Sequence, residues 1–249
     1  MGQRRRLDAE LVRRELADSR AAAQRMIEAH RVIVNGAVAV KASRQVAPAD
    51  AVVVTGPPAR FVGRGAEKLE HALDEFAVDP SGLRVLDAGA STGGFTDSVL
   101  QRGATEVVAV DVGHGQLHER LRADERVVNR ERTNIRSVTS RSIGGPVDLV
   151  VGDLSFISLA LVIPALVRVC QPGASMVLLV KPQFEAGRQE VSKGRGVITD
   201  PAIHDRVRAE VADALTDAGC EVVGWTRSPI TGADGNVEFL VHARAPEAS

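Results

Sequence analysis

Aromatic residues and cysteines are scarce in this 249-residue chain, and each shortage narrows what the protein can do. The chain has no tyrosine and only 3% aromatic residues, so stacking of bases on aromatic platforms is not expected to be its main mode of nucleic-acid binding. Its two cysteines, Cys170 and Cys220, form no CxxC pair, which argues against a zinc site or a disulfide framework. We therefore predict no metal site and a reducing, cytoplasmic location.

Long apolar runs are absent as well. The longest, residues 156–167, spans 12 residues and includes a serine and a proline, whereas a membrane-spanning helix needs about 20. The opening sequence MGQRRR lacks the apolar core of a signal peptide. We therefore expect no membrane association, and nothing in the sequence indicates an obligate protein partner.

The charges are unevenly distributed, although the formal net charge is only −1. Residues 1–60 contain 11 Lys and Arg against 6 Asp and Glu, while the other 189 residues contain 20 against 26. A basic N-terminal part joined to an acidic body indicates that the N-terminal part binds a polyanion. On charge alone, a chance excess of basic residues on a solvated surface is an equal alternative.

The first 58 residues predict two short helices and a hairpin. Apolar residues at helical spacing begin at Leu7 and again after Ser19, which is a plausible N-cap for the second helix. Asn35-Gly36 lies between two β-prone runs and predicts a type I′ hairpin turn. Pro57-Pro58 ends this part of the chain. We expect a small α+β domain at 1–58, a linker at 59–66 and a larger domain at 67–249.

From residue 84 onward, β-rich runs alternate with helical runs, which is typical of a doubly wound α/β sheet. The predicted parallel strands are 84–88, 106–111, 147–151 and 176–180. The predicted helices are 95–102, 159–169 and 202–218. Two later runs, 221–227 and 237–243, are expected to form a closing antiparallel pair.

The first β-to-α turn carries glycines at which a ligand can approach the backbone. Residues 85–95 read VLDAGASTGGF, and glycine lets a chain turn tightly beside a bound molecule. The second strand ends at Asp111, whose carboxylate can accept hydrogen bonds from ribose hydroxyls. The turn lacks the G-x-G-x-x-G pattern of dinucleotide enzymes. Asp87 followed by G-x-x-x-G-G is instead typical of class I methyltransferases, so we favour S-adenosyl-L-methionine over NAD. A glycine turn without a ligand is the remaining alternative.

The cofactor site is predicted to include one asparagine and one further aspartate. Asn134 lies where such enzymes meet the adenine, although a simple loop asparagine explains it equally well. The predicted cofactor-binding residues are Asp87, Gly89, Ser91, Gly93, Gly94, Phe95, Asp111, Asn134 and Asp153.

Two further polar residues follow the predicted strands directly. Asp153 comes after the third strand and Lys181 after the fourth, at the edge of an open α/β sheet where ligands bind. A lysine placed after five apolar residues is expected to be partly desolvated, which favours a neutral, basic amine. Such a base could activate a weak nucleophile like a ribose 2′-hydroxyl. The structural alternatives are a surface lysine at a strand end and a helix-capping aspartate.

The sequence after the third strand also narrows the target of methylation. Residues 153–156 read DLSF, not the D/N-P-P-aromatic motif that amino-directed methyltransferases usually carry. The Pro-Cys pair of cytosine-C5 enzymes is absent too. An oxygen nucleophile therefore remains.

Taken together, these motifs resemble the TlyA family, rRNA cytidine 2′-O-methyltransferases that are also described as hemolysins, over essentially the whole chain. The N-terminal part resembles the S4 RNA-binding fold through RLD at 6–8, SR at 19–20 with Ala22 and Ala23, VNG at 34–36 and Lys41. The larger part matches through FVGRGAEKL at 61–69, DAGASTGGF at 87–95, DVGHGQL at 111–117, DLSFIS at 153–158 and VKPQFE at 180–185.

The resemblance implies a Rossmann-like class I methyltransferase domain behind a small S4-like domain. FtsJ-like 2′-O-methyltransferases use a Lys-Asp-Lys-Glu tetrad, which the matching motifs place at Lys68, Asp153, Lys181 and Glu238. Lys181 would activate the 2′-hydroxyl, Asp153 and Glu238 would orient the two lysines, and Lys68 would add positive charge beside the substrate. Without the resemblance, Lys68 and Glu238 would be taken for ordinary solvated residues.

Ribosomal RNA, free or in ribosomal subunits, is the partner that this resemblance implies. The predicted phosphate contacts of the N-terminal part are Arg4, Arg5, Arg6, Arg20 and Lys41. Segment 185–200 is predicted to form a flexible basic lid through Arg188, Lys193 and Arg195, with a merely mobile loop as the alternative. The chain departs from the family at His30-Arg31, where a glycine often precedes the hairpin, and at His114, where a tyrosine is common.

Three functions follow from the sequence. The leading one is S-adenosylmethionine-dependent 2′-O-methylation of cytidine in ribosomal RNA of the small and possibly the large subunit. A membrane-active hemolysin would need an amphipathic or spanning segment, and the sequence shows none of adequate length. A non-catalytic RNA-binding factor for ribosome assembly would not need the tetrad.

Overall fold

The chain divides into two compact units, Met1–Arg60 and Phe61–Ser249. The computed structural model describes residues 4–17, 20–56, 60–194, 196–232 and 234–248, except for the side chains of residues 21, 188, 189 and 193. The predicted N-cap Ser19 and the predicted boundary Pro57-Pro58 lie outside the described residues. Each unit encloses a hydrophobic core of its own.

The described residues of the N-terminal unit form two helices and five short strands. Its elements are β1 (Arg5–Arg6), α1 (Leu7–Arg13), α2 (Arg20–Glu28), β2 (Val32–Val34), β3 (Ala37–Val38), β4 (Gln45–Val46) and β5 (Val52–Val54). Strand β1 pairs with β4, and β2 lies between β3 and β5, all antiparallel. Leu7, Leu11 and Ile27 are fully or almost fully buried between the helices and these strands.

The predicted hairpin is confirmed. Asn35 and Gly36 have φ angles of 51° and 82°, and they join β2 to β3 with Val34 opposite Ala37. Positive φ at both central residues is what a type I′ turn requires. His30 adopts a φ of 56° in the left-handed region that otherwise favours glycine.

The C-terminal unit alternates strands with helices. Its helices are α3 (Gly65–Glu75), α4 (Gly94–Gln101), α5 (Glu119–Arg122), α6 (Ile163–Val167), α7 (Pro182–Glu185), α8 (Arg188–Lys193) and α9 (Pro201–Asp217). Its strands are β6 (Arg84–Ala88), β7 (Glu106–Val110), β8 (Val127–Arg130), β9 (Val147–Gly152), β10 (Cys170–Val180), β11 (Glu221–Arg227) and β12 (Phe239–Arg244). Short 3₁₀ turns span Ile135–Ser137, Arg141–Ile143 and Leu159–Leu161.

Seven strands form one mostly parallel sheet, in the order β11-β12-β10-β9-β6-β7-β8. Strands β8, β7, β6, β9 and β10 are parallel, and β12 runs antiparallel between β10 and β11. The predicted α/β class and the closing antiparallel pair are therefore confirmed. The carboxyl ends of the parallel strands meet at one edge of this sheet.

The sheet is covered on both faces. Val85 and Leu86 are neighbours on β6 but belong to different cores, because successive side chains on a strand point to opposite faces. Helices α3 and α4 cover one face through residues such as Leu69 and Val99. Helices α6 and α9 cover the other face, for example through Ile163. Burial on both faces explains why the parallel strands are nearly continuous apolar runs.

Three differences from the sequence-based expectation concern the large sheet and the helix between β9 and β10. Strand β8 was not predicted, because its four residues VVNR alternate too briefly to be distinguished from a loop. The helix predicted over 159–169 is broken into a 3₁₀ turn and α6, with Pro164 in the first turn of α6, where its missing N–H costs nothing. Strand β10 begins at Cys170 rather than Met176.

Candidate active site

A cavity of about 570 Å³ lies at the carboxyl edge of the sheet, over the ends of β6, β7 and β9. Its size is within the range of small-molecule sites. Its lining residues come from four segments of the chain, 89–91, 110–116, 133–135 and 153–157. Among the predicted cofactor-binding residues, those that line it are Gly89, Ser91, Asp111, Asn134 and Asp153.

Two glycines make the turn after β6 possible. Gly89 has a φ of 85°, and a Cβ there would lie only 2.7 Å from the backbone oxygen of Asp153. Gly93 has a φ of 95° and is the N-cap of α4, and a Cβ there would collide with the side chain of Leu121. The turn therefore lies against the backbone of the loop that follows β9 on one side and against α5 on the other.

Asp87 lies beneath this turn and is completely buried. Its Oδ2 accepts a 2.6 Å hydrogen bond from the Thr96 hydroxyl, whereas Oδ1 is buried without a partner among the described residues. The pKa of the Asp87 carboxyl is raised to about 7, mainly by burial and in smaller part by the nearby carboxylates of Asp153 and Asp111. Three carboxyl groups, Asp87, Asp111 and Asp153, therefore lie close enough to this turn to interact electrostatically.

Asp111 and Asn134 shape two further walls of the cavity. Asp111 accepts hydrogen bonds from the backbone N–H of Ser91, at 2.8 Å, and of Gly113, at 2.6 Å. Asn134 lines the cavity and also caps a 3₁₀ turn by accepting from the Arg136 N–H. Asn134 is therefore a capping residue of its loop, and its contact with a cofactor stays a prediction.

Three of the predicted cofactor-binding residues have packing positions instead. Phe95 is 3% exposed and belongs to the core between the sheet and α3. Gly94 contacts the backbone of 63–66, since a Cβ there would lie 3.2 Å from the Ala66 nitrogen. Neither they nor Gly93 line the described cavity. Their place in the motif is explained by the close approach of helices α3, α4 and α5.

Lys181 lies at the end of β10 with its amine held by two oxygens. Its Nζ is 2.5 Å from Asp153 Oδ1 and donates a 2.8 Å hydrogen bond to Ser155 Oγ. The lysine is 8% exposed, whereas Ser155 and Asp153 both line the cavity. The amine therefore lies just below the cavity surface, with carboxylate and hydroxyl partners from the same loop.

Lys68 and Glu238 form a second pair, and both are buried. Lys68 Nζ is 2.5 Å from Glu238 Oε2, and the two residues are 6% and 2% exposed. Gly232 makes room for this carboxylate, because a Cβ there would lie 2.6 Å from Glu238 Oε1. These residues are not solvated, contrary to what sequence without the family resemblance would suggest.

Strand register brings the two pairs to the same edge. Val180 on β10 is opposite Phe239 on β12, so the next antiparallel position places Lys181 opposite Glu238. Gly65 begins α3 one turn before Lys68, and its built Cβ would lie 3.6 Å from Asp153 Oδ2. The structure thereby brings the four predicted tetrad residues together: Lys68 lies on α3, and Asp153, Lys181 and Glu238 lie next to the ends of β9, β10 and β12.

An exposed phenylalanine stands at the rim of this edge and was not singled out from the sequence. Phe156 is 90% exposed and has a φ of 64°, a strained conformation for a bulky residue. Its ring centroid lies 5.0 Å from that of Phe184, whose own ring centroid is 5.8 Å from Lys181 Nζ. The scarcity of aromatic residues made such a surface unexpected, and only the loop geometry reveals it.

The predicted arginines of the N-terminal unit are organised by Asp8, which is fully buried. Its carboxylate accepts hydrogen bonds from Arg6 at 2.9 and 3.1 Å, from Arg20 at 3.1 Å and from Gln24 at 3.1 Å. The Arg6 hydrogen bond is the main cause that holds the pKa of Asp8 well below its usual range. The remaining predicted contacts, Arg4, Arg5 and Lys41, are exposed.

Segment 185–200 is more structured than the predicted flexible lid. It contains α8, and Glu190 in that helix pairs with Arg206 of α9 at 2.6 Å. Further along, Asn236 accepts from the Ile198 N–H and donates to the Gly196 oxygen. The side chains of Arg188 and Lys193 and the whole of Arg195 lie outside the described part of the chain.

Comparison with known proteins decides the family. The FtsJ-like methyltransferase model matches residues 61–245, and the S4 domain model matches residues 5–52. The 16S/23S rRNA (cytidine-2′-O)-methyltransferase TlyA of Mycobacterium tuberculosis strain H37Rv is 51% identical over 98% of this chain and 91% of its own length. This chain belongs to the TlyA family.

Other TlyA-like proteins carry a different name. Hemolysin A of Brachyspira hyodysenteriae is 38% identical over 95% of this chain and 98% of its own length. The solved structure of a protein from Streptococcus thermophilus, also named as a hemolysin, has a TM-score of 0.79 at 38% identity, covering 100% of this chain and 90% of that one. The resemblance to the TlyA family stated from the sequence is confirmed.

The fold comparison extends beyond the TlyA family. A structure described as an S-adenosylmethionine-dependent methyltransferase of Listeria monocytogenes has a TM-score of 0.55 over 74% of this chain and 99% of that one, at 16% identity. This likeness confirms the expected methyltransferase fold of the C-terminal unit. Within the described residues, no helix is both long and apolar enough to span a bilayer.

Proposed function

We propose that this protein transfers a methyl group from S-adenosyl-L-methionine to the 2′-hydroxyl of a cytidine in ribosomal RNA. The observation that carries the proposal is the Lys181 amine, held by Asp153 and Ser155 at the edge of the cavity. Identity of 51% to a 16S/23S rRNA (cytidine-2′-O)-methyltransferase supports the same reaction.

The cavity fits a cationic, ribose-containing cofactor. Asp87 contributes a buried carboxyl oxygen without a described partner beneath the glycine turn, and Asp111 and Asp153 add negative charge around the same space. Gly89 and Ser91 let a ligand approach the turn closely. When bound, S-adenosylmethionine supplies a methyl carbon on a positively charged sulfur, which takes back the C–S electron pair as the ribose oxygen forms its new bond.

Lys181 has the position of a general base. Its amine would accept the proton of the 2′-hydroxyl as that oxygen forms the bond to carbon, and it must be neutral to do so. Asp153 then stabilises the ammonium that results, from 2.5 Å away. The proton is afterwards lost to solvent, so we expect the rate of methyl transfer to rise with pH on its acid side.

Lys68 would contribute the positive end of a buried ion pair rather than take a proton. Its amine is neutralised by Glu238 at 2.5 Å inside the protein, and this pair ties α3 to β12 beside Lys181. Such a fixed, buried pair keeps the strand ends in place and adds an oriented dipole to the site. Its role is the placement of the ribose and of Lys181.

Phe156 offers a flat surface for the base of the target nucleotide. Enzymes that act on a nucleotide within folded RNA must hold it out of its stack, and an aromatic face compensates for the lost stacking. The exposure and backbone strain of Phe156 at the rim of the site suit that purpose. The S4-like unit would hold the surrounding RNA through its exposed arginines, in the cytoplasm where ribosomes assemble.

The decisive experiment combines purified protein, tritiated S-adenosylmethionine and ribosomal subunits from cells that lack this gene. We expect incorporation of the label at a cytidine 2′-oxygen, mapped by resistance of that position to alkaline cleavage. Lys181→Ala and Lys181→Arg should each lose at least about 100-fold in rate while binding the cofactor normally in calorimetry. Near-normal turnover of either variant would remove Lys181 from the mechanism, and absence of transfer by the unaltered protein would refute the proposal.

The hemolysin name prompts a second measurement on the same preparation. Leakage of a dye from liposomes is expected to stay at background with and without the cofactor. Robust cofactor-independent leakage would support membrane activity instead. Binding of ribosomal RNA without any methyl transfer would support a non-catalytic assembly factor.

A further inference from the structure

The Lys181 amine has a second oxygen partner that its tetrad does not account for. Ser155 Oγ accepts a hydrogen bond from Lys181 Nζ at 2.8 Å, next to the 2.5 Å contact with Asp153 Oδ1. Ser155 is exposed and lines the cavity, so its hydroxyl lies on the side from which substrate arrives.

We infer that Ser155 is a positioning residue for methyl transfer: together with Asp153 it fixes the direction of the lone pair on Lys181 Nζ. This inference rests on the proposed function, because it concerns the base of that reaction.

The argument follows from the geometry of a neutral amine. Nitrogen in a primary amine has four tetrahedral directions, and in lysine they are occupied by Cε, two hydrogens and one lone pair. If Asp153 alone held the amine, rotation about Cε–Nζ would leave the lone pair free to occupy either of two remaining directions. With Ser155 Oγ accepting one N–H and the negative Asp153 Oδ1, 2.5 Å from Nζ, repelling the lone pair from a second direction, only one direction remains for the lone pair. An amine that is held in this orientation does not have to rotate about Cε–Nζ before it accepts the proton.

The loop that carries Ser155 is held firmly enough for this role. The Asp153 N–H donates to the Ala88 oxygen at 3.0 Å, which fixes the start of the loop to the end of β6. Phe156 has a φ of 64°, a conformation that persists only when the surroundings enforce it. Ser155 thus lies between an anchored residue and a constrained one.

Glu185 fixes the other end of the loop. Its carboxylate accepts a 2.6 Å hydrogen bond from the Ser158 hydroxyl and a 2.9 Å hydrogen bond from the Leu159 N–H. Glu185 ends α7, which begins directly after Lys181. The loop and the lysine are therefore tied to one another from both directions, which limits the movement of the Ser155 backbone relative to Lys181.

The same loop supplies a matched control. Ser155 and Ser158 are three residues apart, and both hydroxyls are hydrogen-bonded, but only that of Ser155 contacts the lysine. Ser155→Ala removes the second acceptor of the amine, whereas Ser158→Ala removes a support of the loop. Ser155→Thr keeps a hydroxyl acceptor at the same position.

The test measures methyl transfer to ribosomal subunits by the full-length protein and these three variants. For Ser155→Ala we expect kcat to fall about 10-fold, a part of what a general base contributes, with KM for RNA and for cofactor unchanged. Ser155→Thr should recover most of this loss, and Ser158→Ala should lose much less than Ser155→Ala. Thermal unfolding of each variant verifies that it is folded.

The dependence of rate on pH gives a second readout that a loss of loop structure would not change. Removing an acceptor from the ammonium form of Lys181 makes that form less stable, so the acid limb of the Ser155→Ala profile should move to lower pH. The other charged and titratable groups at this edge are unchanged in this variant; they are Asp87, Asp111, Asp153, Glu185 and the Lys68–Glu238 pair. A uniformly lower profile with an unmoved limb would indicate structural damage and would overturn the inference.

The remaining outcomes are equally distinct. A normal kcat for Ser155→Ala alongside an inactive Lys181→Ala would overturn the inference and leave the proposed function intact. An equal loss for Ser158→Ala, or no recovery in a folded Ser155→Thr, would also overturn it. Absence of methyl transfer by the unaltered protein would refute the proposed function and the inference together.

Discussion

At the scale of single residues, a carboxyl group sealed under the glycine turn couples stability to pH. Asp87 is completely buried, and burial raises its pKa to about 7. In the unfolded chain the same group titrates near 4. Between these two values the folded protein binds a proton that the unfolded chain has lost, so the free energy of unfolding falls as pH rises.

The first prediction concerns Asp87→Asn. Ionised Asp87 destabilises the free protein by up to about 1.4 kcal/mol for each pH unit between about 4 and 7. The variant lacks this group, so its stability relative to the unaltered protein should grow over that range and then level off. Urea unfolding at pH 5, 6, 7 and 8 measures the difference, with the exposed Asp213→Asn as a control of equal charge change. A difference that does not vary with pH would contradict the assignment.

The second prediction concerns Asp8, which holds Arg6 and Arg20 in the N-terminal unit. Asp8→Asn removes one negative charge, so unspecific attraction alone would tighten RNA binding. We expect weaker binding, by about 3- to 10-fold, because the variant releases both arginines from their fixed positions; breaking the buried, charged network also costs about 1.5–3 kcal/mol of folding stability. Filter binding at several salt concentrations measures this, and Glu28→Gln, an exposed change of the same charge on α2, should bind slightly more tightly. Tighter binding by Asp8→Asn would show that charge alone matters.

Single-residue roles were predictable from the sequence only where a motif carried them. Asp153 and Lys181 follow apolar strands, so their position at the sheet edge was evident. Lys68 and Glu238 are 170 positions apart, and family resemblance alone connected them before the structure did. The contacts of Asp8, Ser155 and Glu185 depend on how loops and helices fold back, which no local pattern records.

At the scale of elements, the buried Lys68–Glu238 pair ties α3 to β12. Lys68→Met leaves the Glu238 carboxylate buried without its partner, which should cost about 3–5 kcal/mol of stability. Adding Glu238→Leu replaces the pair by apolar side chains of similar volume and should restore most of that stability. Urea unfolding of the single and double variants tests this third prediction, while methyl transfer should remain low in both. Recovery of activity with stability would show that the pair serves folding alone.

The elements themselves were largely predictable. Strands β6 and β11 have the predicted bounds, because their apolar runs are flanked by clear turns. The long β10 was predicted only from Met176, since residues 171–175 read QPGAS and resemble a loop. In the structure they continue a strand beside β9 and β12, with an irregular register between Cys170 and Ser175, so tertiary pairing overrides local propensity there.

At the scale of the whole molecule, each of the two units has its own hydrophobic core. The fourth prediction is that calorimetry shows two thermal transitions, one for each unit. The transition with the larger enthalpy should belong to the C-terminal unit, which contains the cofactor cavity. S-adenosylmethionine at 100 times its Kd should stabilise that unit by about 2.7 kcal/mol, which corresponds to about 5–10 °C in Tm for a domain of this size. An equal shift of both transitions, or a single transition, would contradict it.

One contact in the cavity limits how its specificity can be altered. Because a Cβ at Gly89 would lie 2.7 Å from the backbone oxygen of Asp153, any side chain there would push the donor turn and the proton-accepting loop apart at once. Substitution at this position therefore cannot adapt the pocket to a bulkier sulfonium donor. Room has to be made at other lining residues, such as Ser91 and Asn134, whose exposed side chains can be shortened without touching the base.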